Sequence, residues 1–470
     1  MTQTVRSAAE LRSAVKGPVL GPVDPGYDEA RSLWNGDIDR RPALIARCTS
    51  AADVAAAVKF GRERGLEIAV RGGGHAYSGT AACDDGLMID LSRLNAVTVD
   101  PQARTAQVGG GATLADLDAA TQAHGLAVTG GVISHTGVGG LTLGGGMGWL
   151  SSALGLSLDN VVGAEVVLAD GRIVHAGPES EPDLFWALRG GGGNFGVVTE
   201  FVFALHPIGR EVQVGLFFWD LAQGPAALRF CRDYIPSLPR RAGVLIAAGL
   251  TAPPLPFVPE PFHGVAGHAL VVVGLDTAEA HAELIDPVRR AVPPGFEVVS
   301  PMPYTALQQL LDDSSPWGIL GYEKAADLDE LSDEAIAVLV EAAATKASPM
   351  SFMPIFRLSG AFCDVGQDAT AFGGSRKPHY VCNLNAVAPS PDLLAADREW
   401  VRRTWAALKP LASNAGSYVN FLSEPDADRV RASYGPATYD RLAAIKARYD
   451  PENLFHRNAN IRPARQGGAA

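Results

Sequence analysis

Apolar positions recur at helical spacing in Ser50–Arg64 (SAADVAAAVKFGRER), a segment that opens on serine and stops at Gly65. That pattern predicts an amphipathic helix with a side-chain N-cap. The run Leu66–Val70 predicts a strand ending at Arg71, and Gly86–Ser92 and Ala96–Val99 predict two more. Ala112–His124 reads as a second helix, closed by Gly125. Val161–Leu168 and Arg172–His175 flank Asp170-Gly171, which predicts a hairpin with a type I′ turn. Val197–Leu205 is a further strand. From Pro207 the texture changes: alternating strands through 212–300, a proline-rich stretch at 251–262 and a helix near 277–291. Amphipathic helices follow at 331–347 and 391–412, with strands at Pro354–Leu358 and Tyr380–Val387. The tail, Ser417–Pro463, predicts a strand of its own and a helix near 436–448. No internal repeat or low-complexity segment is visible. This succession describes an α+β chain, and 470 residues exceed what one core usually serves, so two or three domains are expected.

Charge and composition narrow the partners. With 39 Lys and Arg against 51 Asp and Glu, the net charge is −12. An acidic chain gains nothing from counterion release, so neither nucleic acid nor an anionic membrane surface is expected as a partner. The N-terminus shows no apolar signal region and no twin arginine, and no apolar run reaches transmembrane length, so a cytoplasmic protein is expected. The five cysteines are odd in number and none forms a CxxC pair, which argues against a disulfide framework or a thiolate zinc site. The ten histidines have no metal-ligand spacing, so no metal is expected.

Glycine carries the chemistry. The 52 copies cluster at Arg71–Gly79, Val108–Gly111, Gly130–Gly148 and Gly190–Gly196. In RGGGHAYSG, three successive glycines after a strand let several backbone N–H groups converge on one anion, for which a diphosphate is the obvious guest. His75 then stands beside it; the alternative is a tight turn with a solvated histidine. Gly130–Gly148 is too rich in glycine for ordinary helix or strand and suits buried backbone laid against a large flat ligand. Gly191, Gly193 and Gly196 formally match G-x-G-x-x-G. They precede a strand instead of opening a helix, so the nicotinamide-binding reading is rejected. Walker A, HExxH and G-x-S-x-G motifs are absent.

Four segments, RGGGHAYSG, GVISHTGVGGLTLGGGMGWL, DLFWALRGGGGNFGVVTEF and YDPENLFHRNANIRP, occur in this order. Together they resemble the FAD-linked oxidases of the berberine bridge enzyme type, in the vanillyl-alcohol oxidase and p-cresol methylhydroxylase (PCMH) superfamily. The resemblance implies a two-domain PCMH-type FAD-binding fold. Residues 1–207 would form the FAD-binding domain. Residues 208–415 would form a substrate domain whose antiparallel sheet covers the flavin, and residues 416–470 would return to the FAD domain.

The same resemblance implies FAD bound covalently through its 8α carbon to His75. Arg71, Gly72, Gly73, Gly74, Ala76 and Gly79 would cradle the diphosphate. Gly131, Ser134, His135, Thr136, Gly139, Gly140, Gly145, Gly146 and Gly148 would run along the ring, and Asn458 and Asn460 would supply donors for charge near N1 and the C2 carbonyl. Gly193, Gly196 and Val198 would line the adenosine end. Ile133 stands where many relatives carry a second, cysteinyl link, so a single histidyl bond is expected. Tyr418 resembles a tyrosine that faces the flavin and accepts the substrate proton. That role needs a lowered pKa and a nearby cation, for which Arg376 is the candidate; Asn383 and Tyr77 are weaker candidates. The implied reaction transfers a hydride from a small organic substrate (alcohol, sugar, cyclic amine or natural-product intermediate) to flavin N5, with O2 becoming H2O2. A dehydrogenase with another acceptor and a non-catalytic flavin-binding module are the alternatives. Pocket residues near Thr136 would govern oxygen access, and the protein is expected to be a monomer or homodimer.

Overall fold

The computed structural model describes residues 3–413, 416–424 and 426–465; the expected boundary at residue 415 lies outside them. The chain is α+β. Its first sheet contains β1 (Val19–Leu20), β2 (Leu44–Arg47), β3 (Ile68–Arg71) and β4 (Leu87–Asp90) in the order β1-β2-β4-β3. β4 runs parallel to both β2 and β3, and parallel neighbours need a crossover. The helix Ala51–Glu63 supplies it, started by the Ser50 hydroxyl oxygen, which accepts the Asp53 N–H. β3 therefore delivers Arg71 and the glycines after it to the end of this sheet.

The second sheet is antiparallel, with β5 (Val97–Asp100), β6 (Thr105–Gly109), β8 (Val161–Val167), β9 (Ile173–Ala176) and β10 (Val197–Ala204) in the order β5-β6-β10-β8-β9. A two-stranded ladder joins β7 (Leu126–Ala127) to β11 (His206–Pro207). The β8–β9 turn differs from the type I′ expectation. The Gly171 N–H donates to the Leu168 carbonyl and the Leu168 N–H to the Arg172 carbonyl. Among the two central residues expected of a type I′ turn, Gly171 alone takes positive φ, at 79°. Asp170 does not take positive φ, so the connection is a three-residue loop closed by a left-handed glycine and not a type I′ turn.

The third sheet has seven strands: β12 (Glu211–Asp220), β13 (Ala242–Thr251), β14 (Ala266–Gly274), β15 (Phe296–Pro303), β16 (Leu320–Leu328), β17 (Met353–Leu358) and β18 (His379–Ala388), in the order β15-β12-β14-β13-β17-β18-β16, all antiparallel. Alternation along the strands gives this sheet two apolar faces. Ile246, Leu270, Val272, Ile355 and Leu384 pack with Leu339, Trp400 and Val401 of the covering helices. Leu245, Val271, Val273, Phe356 and Val381 point the other way, toward Trp149, Leu156 and Tyr418. Burying one such side chain is worth about 1.5–3 kcal/mol, so both faces hold the sheet against its neighbours.

Two further expectations are corrected. No strand occurs among the described residues of the tail; Val419–Phe421 is a single 3₁₀ turn, and a helix at Ala427–Tyr434, N-capped by Asp426, precedes the expected one at Pro436–Tyr449. The segment Gly130–Gly148 does contain helix, at Val138–Gly144. Its glycines leave no side chains between the helix and the neighbouring backbone, so tertiary packing overrides their poor propensity. Strand β16 was not foreseen at all.

A buried acid joins the first part of the chain to the third sheet's connections. Asp118, 3% exposed on the helix Leu114–Gln122, accepts the Gln308 amide at 2.9 Å. Burial pushes its pKa up to about 7. The folded state thus keeps a proton that the unfolded chain has already lost, so stability falls as pH rises from the ordinary carboxylate range through 7. Asp118→Asn is expected to flatten this slope. Relative to the parent it should gain roughly 1–3 kcal/mol at pH 8 and nothing at pH 4, read by denaturant unfolding at both values.

Candidate active site

The end of β3, the Val138–Gly144 helix, the start of β10, the seven-stranded sheet and the tail converge on one cavity of about 380 Å³. Its floor is backbone. A Cβ added to Gly73 would lie 2.4 Å from the Cα and N atoms of Gly137, so the Arg71–Gly79 loop and the Gly130–Gly148 segment touch main chain to main chain. Gly72, Gly73, Gly74, His75 and Ala76 line this floor, with Gly131, Thr136, Gly139 and Gly140 beside them. Gly193, Gly196 and Val198 line one end, together with Asn458 of the tail. Two further groups there went unread in the sequence: the apolar shelf of Ile68, Val70 and Leu91, and Arg457, which pairs with Glu67 at 2.8 Å.

The remaining expected cofactor residues are one layer back. Arg71 turns its guanidinium to the Ala30 carbonyl at 2.6 Å. Ser134 donates its N–H and hydroxyl to Asp312 at 2.8 and 2.5 Å. The Gly148 N–H donates to the Ser151 hydroxyl, and Gly79, Gly145, Gly146 and Asn460 also lie outside the cavity wall. Gly146 acts through another residue: its N–H donates to the Tyr418 hydroxyl oxygen at 2.6 Å, from a backbone with φ of 85°.

His75 sits in the wall between two rings. Trp34 stacks on it with centroids 4.5 Å apart and planes at 14°, and His135 lies 5.0 Å away. Trp34, fully buried, is locked by donating its indole N–H to the Ser315 carbonyl at 2.8 Å. Burial, assisted by His135, drives the His75 pKa down to about 3, so the imidazole is neutral. Its Nε2 is buried with no hydrogen-bond partner among the described residues. A neutral imidazole with an unspent lone pair, clamped by an aromatic ring, is equipped to bond an electrophilic carbon. The glycine floor and this orphan nitrogen fit an FAD attached there.

The opposite wall belongs to the seven-stranded sheet. Tyr418 lines the cavity, but burial raises its pKa to about 12. Its oxygen accepts two N–H groups, from Gly146 and from Asn420 at 2.9 Å, so the phenol keeps its own proton as a donor. Arg376 does not supply the expected cation. It is buried in a bidentate pair with Asp159, at 2.8 Å through both nitrogens, and sandwiched by Phe362 and Phe372 outside the cavity wall. Among the described residues, the sole carboxyl side chain in the cavity wall is one the sequence reading missed. Glu323 on β16 is 2% exposed and accepts the Asn383 amide of β18 at 3.0 Å. Burial pushes its pKa up to about 8. Tyr77, from the loop that carries His75, completes this corner.

Comparison with known proteins agrees with this geometry. Residues 42–177 match the family of FAD-binding domains, and residues 417–462 match the family described as berberine and berberine-like. An FAD-linked oxidoreductase of Dictyostelium discoideum is 31% identical over 97% of this chain and 96% of its own length. The (R)-6-hydroxynicotine oxidase of Paenarthrobacter nicotinovorans is also 31% identical, over 96% of this chain and 97% of its own. Among solved structures, the glucooligosaccharide oxidase of Acremonium strictum, which carries a 6-S-cysteinyl, 8α-N1-histidyl FAD, superimposes with a TM-score of 0.84 at 25% identity, covering 97% of this chain and 99% of that one. Fold and site thus define an FAD-linked oxidoreductase of the PCMH type. Within that class, the chain belongs to the berberine bridge enzyme-like family. No helix among the described residues is long and apolar enough to cross a membrane.

Proposed function

We propose that this protein is an FAD-dependent oxidase whose cofactor is bonded through the 8α carbon to His75 alone. Residues 1–207 and 416–470 form its FAD-binding domain and residues 208–415 its substrate domain. The observation that carries the reading is the neutral His75 imidazole in the wall of a glycine-floored cavity, its Nε2 buried without a hydrogen-bond partner among the described residues. Bound FAD would supply the two-electron acceptor at N5. The glycine floor excludes side chains and water from the ring's path, while Trp34 holds the imidazole plane. Tyr418, a neutral phenol fixed by two N–H donors, orients a substrate heteroatom by donating its remaining hydrogen. Ile133 lines the cavity at the place of a second, cysteinyl link, so one bond to the flavin is expected.

The small-molecule substrates of the oxidase relatives support hydride transfer from an organic substrate, with O2 as final acceptor. The same site serves a dehydrogenase if O2 reacts slowly. Anaerobic photoreduction followed by mixing with air separates the two. Reoxidation within seconds, with one H2O2 released per flavin, is expected; reoxidation over many minutes assigns the dehydrogenase.

A further inference from the structure

A second cavity, of about 210 Å³, lies at the ends of β13 and β17 and shares no lining residue with the first. Two main-chain contacts frame it. A Cβ added to Gly243 of β13 would lie 2.3 Å from the Trp149 carbonyl oxygen, and one added to Gly360, just past β17, would lie 2.3 Å from the Ser152 carbonyl oxygen. All four of these residues stand in its wall, so the cavity sits where the chain at 148–152 is pressed against the seven-stranded sheet. The polar side chains here are hydrogen-bond donors. Arg357 of β17 is half-buried, with its guanidinium 4.5 Å over the Tyr380 ring. Its Nε is buried without a partner, and no carboxylate pairs with it among the described residues. Trp149 is 2% exposed, and its indole N–H is buried without an acceptor. Ser152 and Ser359 add hydroxyls. Arg240 also lines the wall, but Asp364 takes both of its terminal nitrogens. Among the described residues, no Asp, Glu or Lys side chain belongs to this wall. Asp233, on the Tyr380 side, is held by Arg232. The remaining surface is apolar, chiefly Ile235, Leu238 and Val244.

A half-buried charge without a countercharge is costly, and a buried N–H without an acceptor adds to the cost. An anion removes both penalties. A cation would meet the Arg357 charge, and a neutral molecule would leave that charge uncompensated. The guanidinium offers parallel N–H groups that match a planar carboxylate, while the apolar side chains accept a carbon skeleton. We propose that this cavity is a second binding site, separate from that of the cofactor, for a small organic carboxylate held by the Arg357 guanidinium and the Trp149 indole N–H. Two short stretches of chain link the sites. Arg357 follows Phe356, which lines the first cavity, and Trp149 lies three residues after Gly146, whose N–H fixes the Tyr418 hydroxyl.

The test titrates the FAD-loaded protein with benzoate by calorimetry, and with benzamide, benzylamine and inorganic phosphate for comparison. Benzoate is expected to bind one to one, at least about tenfold more tightly than any of the other three, because only it pairs a planar anion with the guanidinium and an apolar body with the wall. Arg357→Gln should weaken benzoate by at least about tenfold while melting at no lower temperature, since it removes an uncompensated charge. Trp149→Phe keeps the apolar body of the side chain and removes the N–H, and should weaken benzoate roughly three- to tenfold. Both variants should keep the flavin content and absorbance spectrum of the parent. Absence of binding heat with benzoate, benzamide binding as tightly, phosphate binding more tightly, or an affinity unchanged by Arg357→Gln would overturn the proposal. Benzoate binding that survives Arg357→Gln and shifts the flavin spectrum would place the ligand in the first cavity instead.

Discussion

His75→Ala is expected to move all of the protein's yellow colour from the acid-precipitated pellet into the supernatant. Acid unfolds the chain and frees any flavin not bonded to it, so the pellet reports the covalent fraction directly. The parent should keep its flavin in the pellet because the neutral imidazole lines the cavity beside the glycine floor, held by the Trp34 ring. The variant should still bind FAD, since the diphosphate and ring surfaces are main chain and apolar side chains that the substitution does not touch. It should lose flavin on dialysis, with a finite Kd where the parent shows none, and its flavin should be a weaker oxidant without the electron-withdrawing substituent. A variant pellet that stays yellow would assign the bond to another side chain. A white parent pellet over a yellow supernatant would show FAD bound but unlinked.

The parts of this site that were legible in the sequence are those made by backbone. A loop that must bring main chain within contact distance of other main chain needs glycine, and the Gly73–Gly137 contact explains why both glycine segments stand out. Helices with a regular apolar face and a clear start or stop were equally readable, as at the Ser50 cap and at the Gly125 stop of the second helix. The illegible parts depend on pairings between distant residues. Strand β16 reads LGYEKAADL, whose charged centre hides a strand; only its place at the edge of the seven-stranded sheet, opposite β18, buries Glu323. Arg376 misled for the same reason. Its partner Asp159 lies 217 residues away, and nothing local distinguishes a guanidinium that completes a core from one that faces a substrate. Trp34 and Arg457 likewise acquire their positions from contacts across the chain.

The tail motif YDPENLF resembled part of a flavin site, yet its most consequential residue works inside the protein. Lys446 and Asp450 are both fully buried and pair at 2.6 Å. The ammonium also donates to the carbonyls of Asn194 and Phe455 at 2.6 and 2.9 Å, and the carboxylate accepts the N–H groups of Leu454 and Phe455. One ion pair therefore ties the Gly190–Gly196 loop to the tail. Asn194 strengthens the tie by accepting the Ile461 N–H at 2.9 Å and donating to the Ala459 carbonyl. Removing the ammonium leaves a buried carboxylate without its countercharge, a loss of about 3–5 kcal/mol in such settings. Lys446→Met is expected to destabilise by that amount, read as a lower denaturant midpoint. It should also loosen FAD, because Gly193, Asn458 and Ala459 of the cavity wall hang from this knot. Adding Asp450→Asn should recover part of the loss by removing the stranded charge, whereas two independent sites would simply add. A single variant within about 1 kcal/mol of the parent would mean that water or a shifted chain satisfies Asp450, and that the tail docks through its apolar contacts alone.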